Sequence, residues 1–144
     1  MNDKVIEVIR IKGVATSRDE AIAEAAQMLI EAGAVTPEYR DAMFDRESSV
    51  STYMGNLLAI PHGTLEGADQ VLKSALAIIR YDDPIEWDGN EVRFVIGIAG
   101  KDGMHMEALA TIAQIFSDME TVSKLLDAES ETDILHQFQE VRAA

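Results

Sequence analysis

The sequence predicts an α/β fold, a mixed β-sheet with helices on both faces, within one domain over residues 1–144. Two observations predict it. Segments rich in β-branched residues alternate along the chain with segments whose apolar residues keep helical spacing. The length suits a single domain, and no linker, low-complexity stretch or internal repeat divides it. Ligands of such sheets bind at loops beyond strand ends, so functional residues are expected there.

The first third of the chain predicts one strand and two helices. The stretch KVIEVIRIKG is β-branched and predicts a strand that ends at Gly13. Ser17 and Glu20 form a capping-box pattern, which predicts the start of a helix. Thr36-Pro37 predicts the start of a second helix, because the N–H that proline lacks has no partner in a first helical turn. That helix fades near Ser48-Ser49.

The rest of the chain predicts further strands followed by helices. In chain order these are a strand at Leu57–Ile60, a buried strand at Val71–Tyr81, a short extension at Ile85–Trp87 between the turn signals Asp82-Asp83-Pro84 and Asp88-Gly89-Asn90, a strand at Arg93–Ala99, a helix within Met104–Met119, and helices around Val122–Asp127 and Asp133–Val141. This order places His62 and the segment Gly100–His105 directly after predicted strands.

Composition excludes several classes of function. The chain has no cysteine, which rules out thiolate zinc sites, disulfides and a cysteine nucleophile. Its 12 basic and 26 acidic side chains give a net charge of −14, which argues against nucleic acid or an anionic membrane as a partner. No apolar run approaches the roughly 18 residues of a membrane span, and the charged N-terminus is unlike a signal peptide. A cytoplasmic location is therefore expected.

The first candidate functional residue is His62, in the stretch AIPHGT. Pro61 fixes the backbone before it, and Gly63 lets the chain turn away after it. The imidazole is therefore carried by a rigid stretch of backbone. Neutral imidazole is a competent nucleophile near pH 7. The residues alone fit a turn histidine without a chemical role equally well.

Two further candidates are His105 and Arg46. His105 falls in the first turn of a helix that Asp102 can cap, on the same side as Leu109 and Ile112. A helix start favours neutral imidazole and attracts phosphate, although a structural, partly buried histidine is the simpler interpretation. Arg46 lies near the end of the second helix, where a guanidinium can bind a phosphoryl group in a bidentate manner. Binding of the last helical carbonyls, or solvation, explains a lone arginine there more simply.

Other motifs are weak or absent. The chain lacks the pattern G-x-x-x-x-G-K-[ST], which excludes the common nucleotide-triphosphate cradle. Gly97, Gly100 and Gly103 can cradle an anion but lack dinucleotide-binding spacing. A metal-dependent enzyme using His62 and His105 is a minor alternative, since no metal-ligand motif such as H-E-x-x-H is present.

Three stretches together resemble a known family. YMGNLLAIPHGT, the upstream DRE and the downstream VIGIAGKDGMHMEAL are similar to the IIA components of the bacterial phosphoenolpyruvate-dependent sugar phosphotransferase system, in the mannitol/fructose class. The resemblance runs from about Ala15 to Phe138 and fits the mannitol branch better than the fructose branch. It implies a type-2 IIA domain with a mixed five-stranded sheet flanked by helices.

The resemblance also implies a mechanism without cofactor or metal. A phosphocarrier of this family takes a phosphoryl group from the histidine phosphocarrier protein HPr and passes it to a cysteine of a IIB component during sugar uptake, here most consistent with mannitol. His62 matches the phosphorylated histidine, with Nε2 as the expected acceptor atom. His105 matches a residue that stabilises the phosphoryl group, and Arg46 one that compensates its charge. Because this chain has no cysteine, IIB is expected on a separate chain.

An alternative function stays open. A regulatory module with the same fold needs the same phosphorylatable histidine, and the phosphorylation state of His62 would then control a partner such as a transcription factor.

One position departs from the family pattern. Mannitol-type relatives often carry an acidic residue where this chain has Asn56. The exchange is expected to alter how His62 is held or how strongly a dianion is repelled nearby, and it bears on the sugar more than on the phosphocarrier role. Apolar residues near the two histidines are candidates for a docking rim, with the core the simpler interpretation for Leu58: Leu57, Leu58, Leu65, Met104 and Met106.

Overall fold

The computed structural model describes residues 6–64, 69–100 and 105–143, and in the last range the side chains of residues 109–138. Within these ranges the chain forms a five-stranded sheet and five helices. In chain order they are β1 Ile6–Arg10, α1 Arg18–Glu31, α2 Tyr39–Ser49, β2 Tyr53–Gly55, β3 Leu58–Ala59, β4 Ala75–Trp87, β5 Asn90–Ala99, α3 His105–Phe116, α4 Met119–Asp127 and α5 Glu131–Ala143.

The sheet is mixed, as the sequence predicts, with the strand order β1-β4-β5-β3-β2. β1 is parallel to β4 and β3 is parallel to β5, whereas the β4–β5 and β2–β3 pairs are antiparallel. Because β3 and β5 are parallel neighbours, their carboxyl ends lie at the same end of the sheet. The starts of β2 and β4 lie there too, and Ala75 pairs with Ala99. We call this the site end.

Helices cover both faces of the sheet, which confirms the predicted layers. Alternate residues of β4 face opposite sides. Ala77 and Ile79 pack in a core with α1 and α2, whereas Leu76 and Ile78 pack in a second core with α3, α4 and α5. Gly97 on β5 brings α1 close, since a Cβ there would lie 2.9 Å from the Cβ of Ala25.

Local signals predicted α1 well and the β4–β5 hairpin less well. Ser17 caps α1 by accepting a hydrogen bond from the N–H of Glu20, as the capping-box pattern predicts. The predicted turn at Asp82-Asp83-Pro84 is wrong, because β4 continues to Trp87. Proline is tolerated there because the pairing register shifts between Arg80 and Ile85, where the ladder needs no N–H. The predicted turn before β5 is confirmed, with positive φ at Asp88 and Gly89.

Other boundaries moved by a few residues. The predicted strand at Leu57–Ile60 is the shorter β3, and β2, which pairs with it, had no prediction. α2 begins at Tyr39, two residues after Pro37, and β5 begins at Asn90 rather than Arg93.

A buried glutamate fastens the β1–α1 loop to the sheet. Glu24 on α1 is 9% exposed and accepts hydrogen bonds from the Arg10 guanidinium at 2.6 Å and the Tyr81 hydroxyl at 2.7 Å. It also accepts from the N–H groups of Val14 and Ala15. Burial alone would raise the pKa of Glu24, but these hydrogen bonds to the ionised form lower it below its usual value.

Candidate functional site

His62 lies at the site end, three residues after Ala59, the last residue of β3. Its backbone pairs in parallel with Ile98 near the end of β5, and the Ile98 N–H donates to the Pro61 carbonyl at 3.0 Å. The side chain of His62 is half-buried. The structure therefore confirms that the histidine follows a strand end, where α/β sheets bind ligands.

A backbone carbonyl fixes the tautomer of His62. Nδ1 of the imidazole lies 2.8 Å from the carbonyl oxygen of Ile60. Because a carbonyl oxygen can only accept, Nδ1 must carry the hydrogen, and in the neutral ring the lone pair is then on Nε2. The ring is thus held in the form that makes Nε2 its nucleophilic atom.

The turn after His62 is held by Tyr39, the first residue of α2. The Tyr39 hydroxyl accepts from the Gly63 N–H at 2.9 Å and donates to the Ile98 carbonyl at 2.8 Å. A Cβ at position 63 would lie 2.5 Å from Cε1 of Tyr39, so this contact requires glycine. Burial raises the pKa of Tyr39, although the hydrogen bond from Gly63 opposes the shift, so the hydroxyl keeps its proton and can donate.

A second buried glutamate, Glu47 near the end of α2, anchors the segment beside His62. Glu47 is 5% exposed and accepts from the Thr52 N–H at 2.9 Å, the Thr52 hydroxyl at 2.6 Å and the Trp87 indole N–H at 2.9 Å. The Thr52 carbonyl in turn accepts from the Ile60 N–H at 3.1 Å. Glu47 is therefore linked through Thr52 to Ile60, the residue whose carbonyl oxygen orients the His62 ring.

Sequence reasoning missed both Tyr39 and Glu47. Tyr39 belongs to no motif, and the sequence shows it only as an apolar residue of α2. Glu47 stands beside Arg46 in the DRE stretch, and that proximity is the one sequence feature that could have pointed to it.

Arg46 lies in the last turn of α2 and donates from Nη1 to the Val50 carbonyl at 2.7 Å. This is the carbonyl-binding role that the sequence favoured for a lone arginine. Arg46 nevertheless lies at the site end. Because Thr52 and Ile60 are bonded across an antiparallel pair, Val50 and His62 each lie two residues further toward that end.

His105 is the first residue of α3, which confirms its predicted place in a first helical turn. β5 leads toward α3, and β5 is parallel to β3, so the start of α3 and His62 follow neighbouring strand ends. The side chain of His105 lies outside the described part of the structure. So do Asp102, Gly103, Leu65, Met104 and the side chain of Met106.

Asn56 lies at the other end of β3 from His62. It occupies the β2–β3 turn with a φ of 50°, a conformation that asparagine tolerates, and its Nδ2 donates to the carbonyl of Phe116 at 2.7 Å. The Asn56 amide thus caps the end of α3, and its effect on how His62 is held stays a prediction. The neighbouring Leu58 is buried in the second core and does not form a docking rim, whereas Leu57 is partly buried against that core and its role in a rim stays a prediction.

No helix in the described ranges is both long and apolar enough to cross a bilayer. In the same part of the chain, no three histidine, aspartate or glutamate side chains form a group that could hold a metal ion.

The sheet order, the histidine at a strand end and the fixed tautomer of that histidine define an α/β protein with a candidate site at the site end. The class is narrowed by comparison with known proteins. Residues 5–141 match the family described as the phosphoenolpyruvate-dependent sugar phosphotransferase system, EIIA 2, and the chain belongs to that family. The resemblance on the sequence motifs is thereby confirmed, and the chain is a IIA-type component of a phosphotransferase system.

Relatives and solved structures agree with this membership. The mannitol-specific phosphotransferase enzyme IIA component of Halalkalibacterium halodurans is 50% identical over 129 residues, 90% of this chain and 89% of that protein. The Bacillus subtilis protein of the same name is 43% identical over 136 residues, 94% of this chain and 95% of that protein. The Escherichia coli complex of enzyme IIAMTL and phosphorylated enzyme IIBMTL aligns with a TM-score of 0.85 at 30% identity, covering 92% of this chain and 94% of the matched chain.

Proposed function

We propose that this chain is a cytoplasmic phosphocarrier of mannitol uptake, acting as one IIA type-2 domain over residues 1–144. It accepts a phosphoryl group from phospho-HPr on Nε2 of His62 and passes it to a cysteine of a IIB component on a separate chain. The observation that carries the proposal is the hydrogen bond from Nδ1 of His62 to the Ile60 carbonyl, because it leaves the lone pair on Nε2. Family membership and the names of the relatives support the partners and the sugar.

The fixed tautomer removes the need for a general base. The Nε2 lone pair of His62 attacks phosphorus as the N–P bond of phospho-HPr breaks, and the electron pair of that bond returns to the donor histidine. His62 loses no proton in this step, because Nδ1–H stays bonded to the Ile60 carbonyl. That carbonyl also faces the positive charge that the ring gains on phosphorylation. In the second transfer a IIB thiolate attacks phosphorus, and Nε2 leaves as neutral imidazole.

The remaining machinery compensates charge on the phosphoryl oxygens. Phosphoryl transfer depends mainly on in-line positioning and on such compensation. Arg46 supplies a positive charge at the site end, and His105 supplies a hydrogen-bond donor from the start of α3, where the helix dipole also favours an anion. None of these roles requires a nucleotide, a metal or a cofactor.

A labelling assay tests the proposal. The purified chain is incubated with phosphoenolpyruvate, enzyme I and HPr, and should gain an acid-labile, base-stable phosphate. His62→Ala should abolish it, whereas His136→Ala, which changes an exposed histidine on α5, should label as the unaltered protein does. Persistent labelling of His62→Ala would refute the assignment of the acceptor.

Transfer to a panel of IIB proteins tests the sugar and the role in transport. We expect the phosphoprotein to label a mannitol IIB fastest. A phosphoprotein that labels no IIB and instead binds a regulator would favour the regulatory alternative.

A further inference from the structure

The pairing of β3 with β5 ends at His62, where a side-chain hydroxyl takes part in the backbone hydrogen bonding. In regular parallel pairing, Ile98 would donate to the carbonyl of the residue before His62 and accept from the N–H of the residue after it. The first bond is present, from the Ile98 N–H to the Pro61 carbonyl at 3.0 Å. The second runs through a side chain, because the Gly63 N–H donates to the Tyr39 hydroxyl and that hydroxyl donates to the Ile98 carbonyl. The Tyr39 hydroxyl therefore bridges the Gly63 N–H and the Ile98 carbonyl at the end of the His62–Ile98 pairing.

The Tyr39 side chain is buried and packs closely against Gly63. Tyr39 is 4% exposed, so its hydroxyl satisfies two backbone groups in a buried setting where an unmade hydrogen bond is expensive. The ring fills the space in which any side chain at position 63 would lie, with Cε1 only 2.5 Å from a Cβ built there. Tyr39 and Gly63 therefore fit each other, and the chain leaves the sheet directly after His62.

We propose that Tyr39 is a positioning residue for phosphoryl transfer, whose hydroxyl joins the backbone after His62 to the end of β5 and thereby fixes where the histidine presents Nε2. This inference rests on the proposed function. Within the described residues, Ile60 and Tyr39 act on the imidazole in different ways. Ile60 holds Nδ1 and sets the orientation of the ring, whereas the Tyr39 hydroxyl sets the path of the backbone that carries it. Tyr39 and Arg46 are also two helical turns apart, so they lie along one face of α2 and share one rigid element.

Tyr39→Phe tests the hydroxyl alone, because it keeps the ring and removes only the oxygen with its hydrogen. We expect the maximal rate of transfer from phospho-HPr to fall roughly 10-fold or more, since small displacements of reacting groups carry penalties of that order. The HPr concentration at half-maximal rate should stay unchanged, because the buried hydroxyl bonds only its own chain's backbone. Gly63→Ala, which retains the hydroxyl but forces the ring away, should reproduce this loss of maximal rate.

Tyr81→Phe is the matched control. Tyr81 is buried in the same core and its hydroxyl donates to Glu24. Its loss should lower stability, as measured by urea unfolding, and leave the transfer rate unchanged. If Tyr39→Phe and Gly63→Ala both transfer at the unaltered rate, or if Tyr81→Phe is slowed as much as they are, Tyr39 has no positioning role.

Amide hydrogen exchange separates this inference from the proposed function. In Tyr39→Phe the Gly63 amide should exchange roughly 10-fold faster or more relative to neighbouring amides of β5. Unchanged protection of Gly63 would overturn the inference even if transfer slows. If the unaltered protein takes no phosphate from HPr, the proposed function fails and the positioning role fails with it, whatever the exchange rates show.

Discussion

Removal of the Glu47 carboxylate should destabilise the protein strongly, because three hydrogen bonds converge on one buried side chain. The Thr52 N–H, the Thr52 hydroxyl and the Trp87 indole N–H all donate to it. Thr52 is 4% exposed and Trp87 is fully buried, so water cannot readily replace the carboxylate. Each donor left without a partner costs about 1–3 kcal/mol.

The size of the effect follows from these contacts. Glu47→Ala leaves all three donors without a partner and also leaves a cavity. We therefore expect the free energy of unfolding to fall by about 3–5 kcal/mol. Losses of this order are found when one partner of a buried charged network is removed. The total free energy of unfolding of a domain of this size is roughly 5–15 kcal/mol. Glu47→Gln keeps the shape and one carbonyl oxygen, and should lose about 1–2 kcal/mol.

The assay is urea unfolding followed by the fluorescence of Trp87, the single tryptophan of the chain. The ordering of the variants is the test: Glu47→Ala should be the least stable, and Glu47→Gln should lie between it and the unaltered protein. Asp45→Ala, on the exposed side of the same helix, is the matched control and should change stability by less than about 0.5 kcal/mol. A Glu47→Ala protein within about 1 kcal/mol of the unaltered one would refute the reasoning.

Three further predictions concern charge. Hydrogen bonds lower the pKa of Glu24 in the folded state, so the unfolded chain binds its proton at higher pH. The ionised Glu24 therefore stabilises the fold fully above the ordinary glutamate pKa of about 4.3, and this stabilisation is lost as pH falls through the folded pKa. Urea unfolding from pH 3 to 7 should show the loss of stability, and Glu24→Gln should make stability depend less on pH. Arg46→Gln should slow transfer to His62 by roughly 10-fold or more in rapid-quench labelling, and an unchanged rate would exclude charge compensation. His105→Ala should still accept phosphate on His62 but transfer it more slowly to IIB, and equal kinetics would show that His105 has been misassigned.

Features made by neighbouring residues were predictable from the sequence. Ser17 caps α1 through a hydrogen bond three residues along the chain, and the Nδ1 contact of His62 reaches a carbonyl only two residues back. Contacts this short depend on local backbone geometry, which proline and glycine set. The strand-end position of His62 was therefore accessible without a structure.

Features made by distant residues were not. Asp82-Asp83-Pro84 reads locally as a turn, yet pairing with β5 on both sides of a register shift keeps it within β4. The family pattern drew attention to Asn56, whose hydrogen bond instead reaches Phe116 across 60 positions. Tertiary pairing overrode local preference in the first case and redirected a side chain in the second.

The amino-acid sequence by itself determined the α/β class, the exclusion of cysteine chemistry and the rigid backbone that proline and glycine give to His62. These follow from composition, periodicity and backbone restrictions, which act over a few residues. Only the tertiary structure decided what surrounds the histidine. The Tyr39 hydroxyl meets Ile98 from 59 positions away, and Glu47 meets Trp87 from 40. Such contacts exist only once the chain has folded, because the free energy of burying a hydroxyl or a carboxylate depends on donors and acceptors that no local pattern specifies.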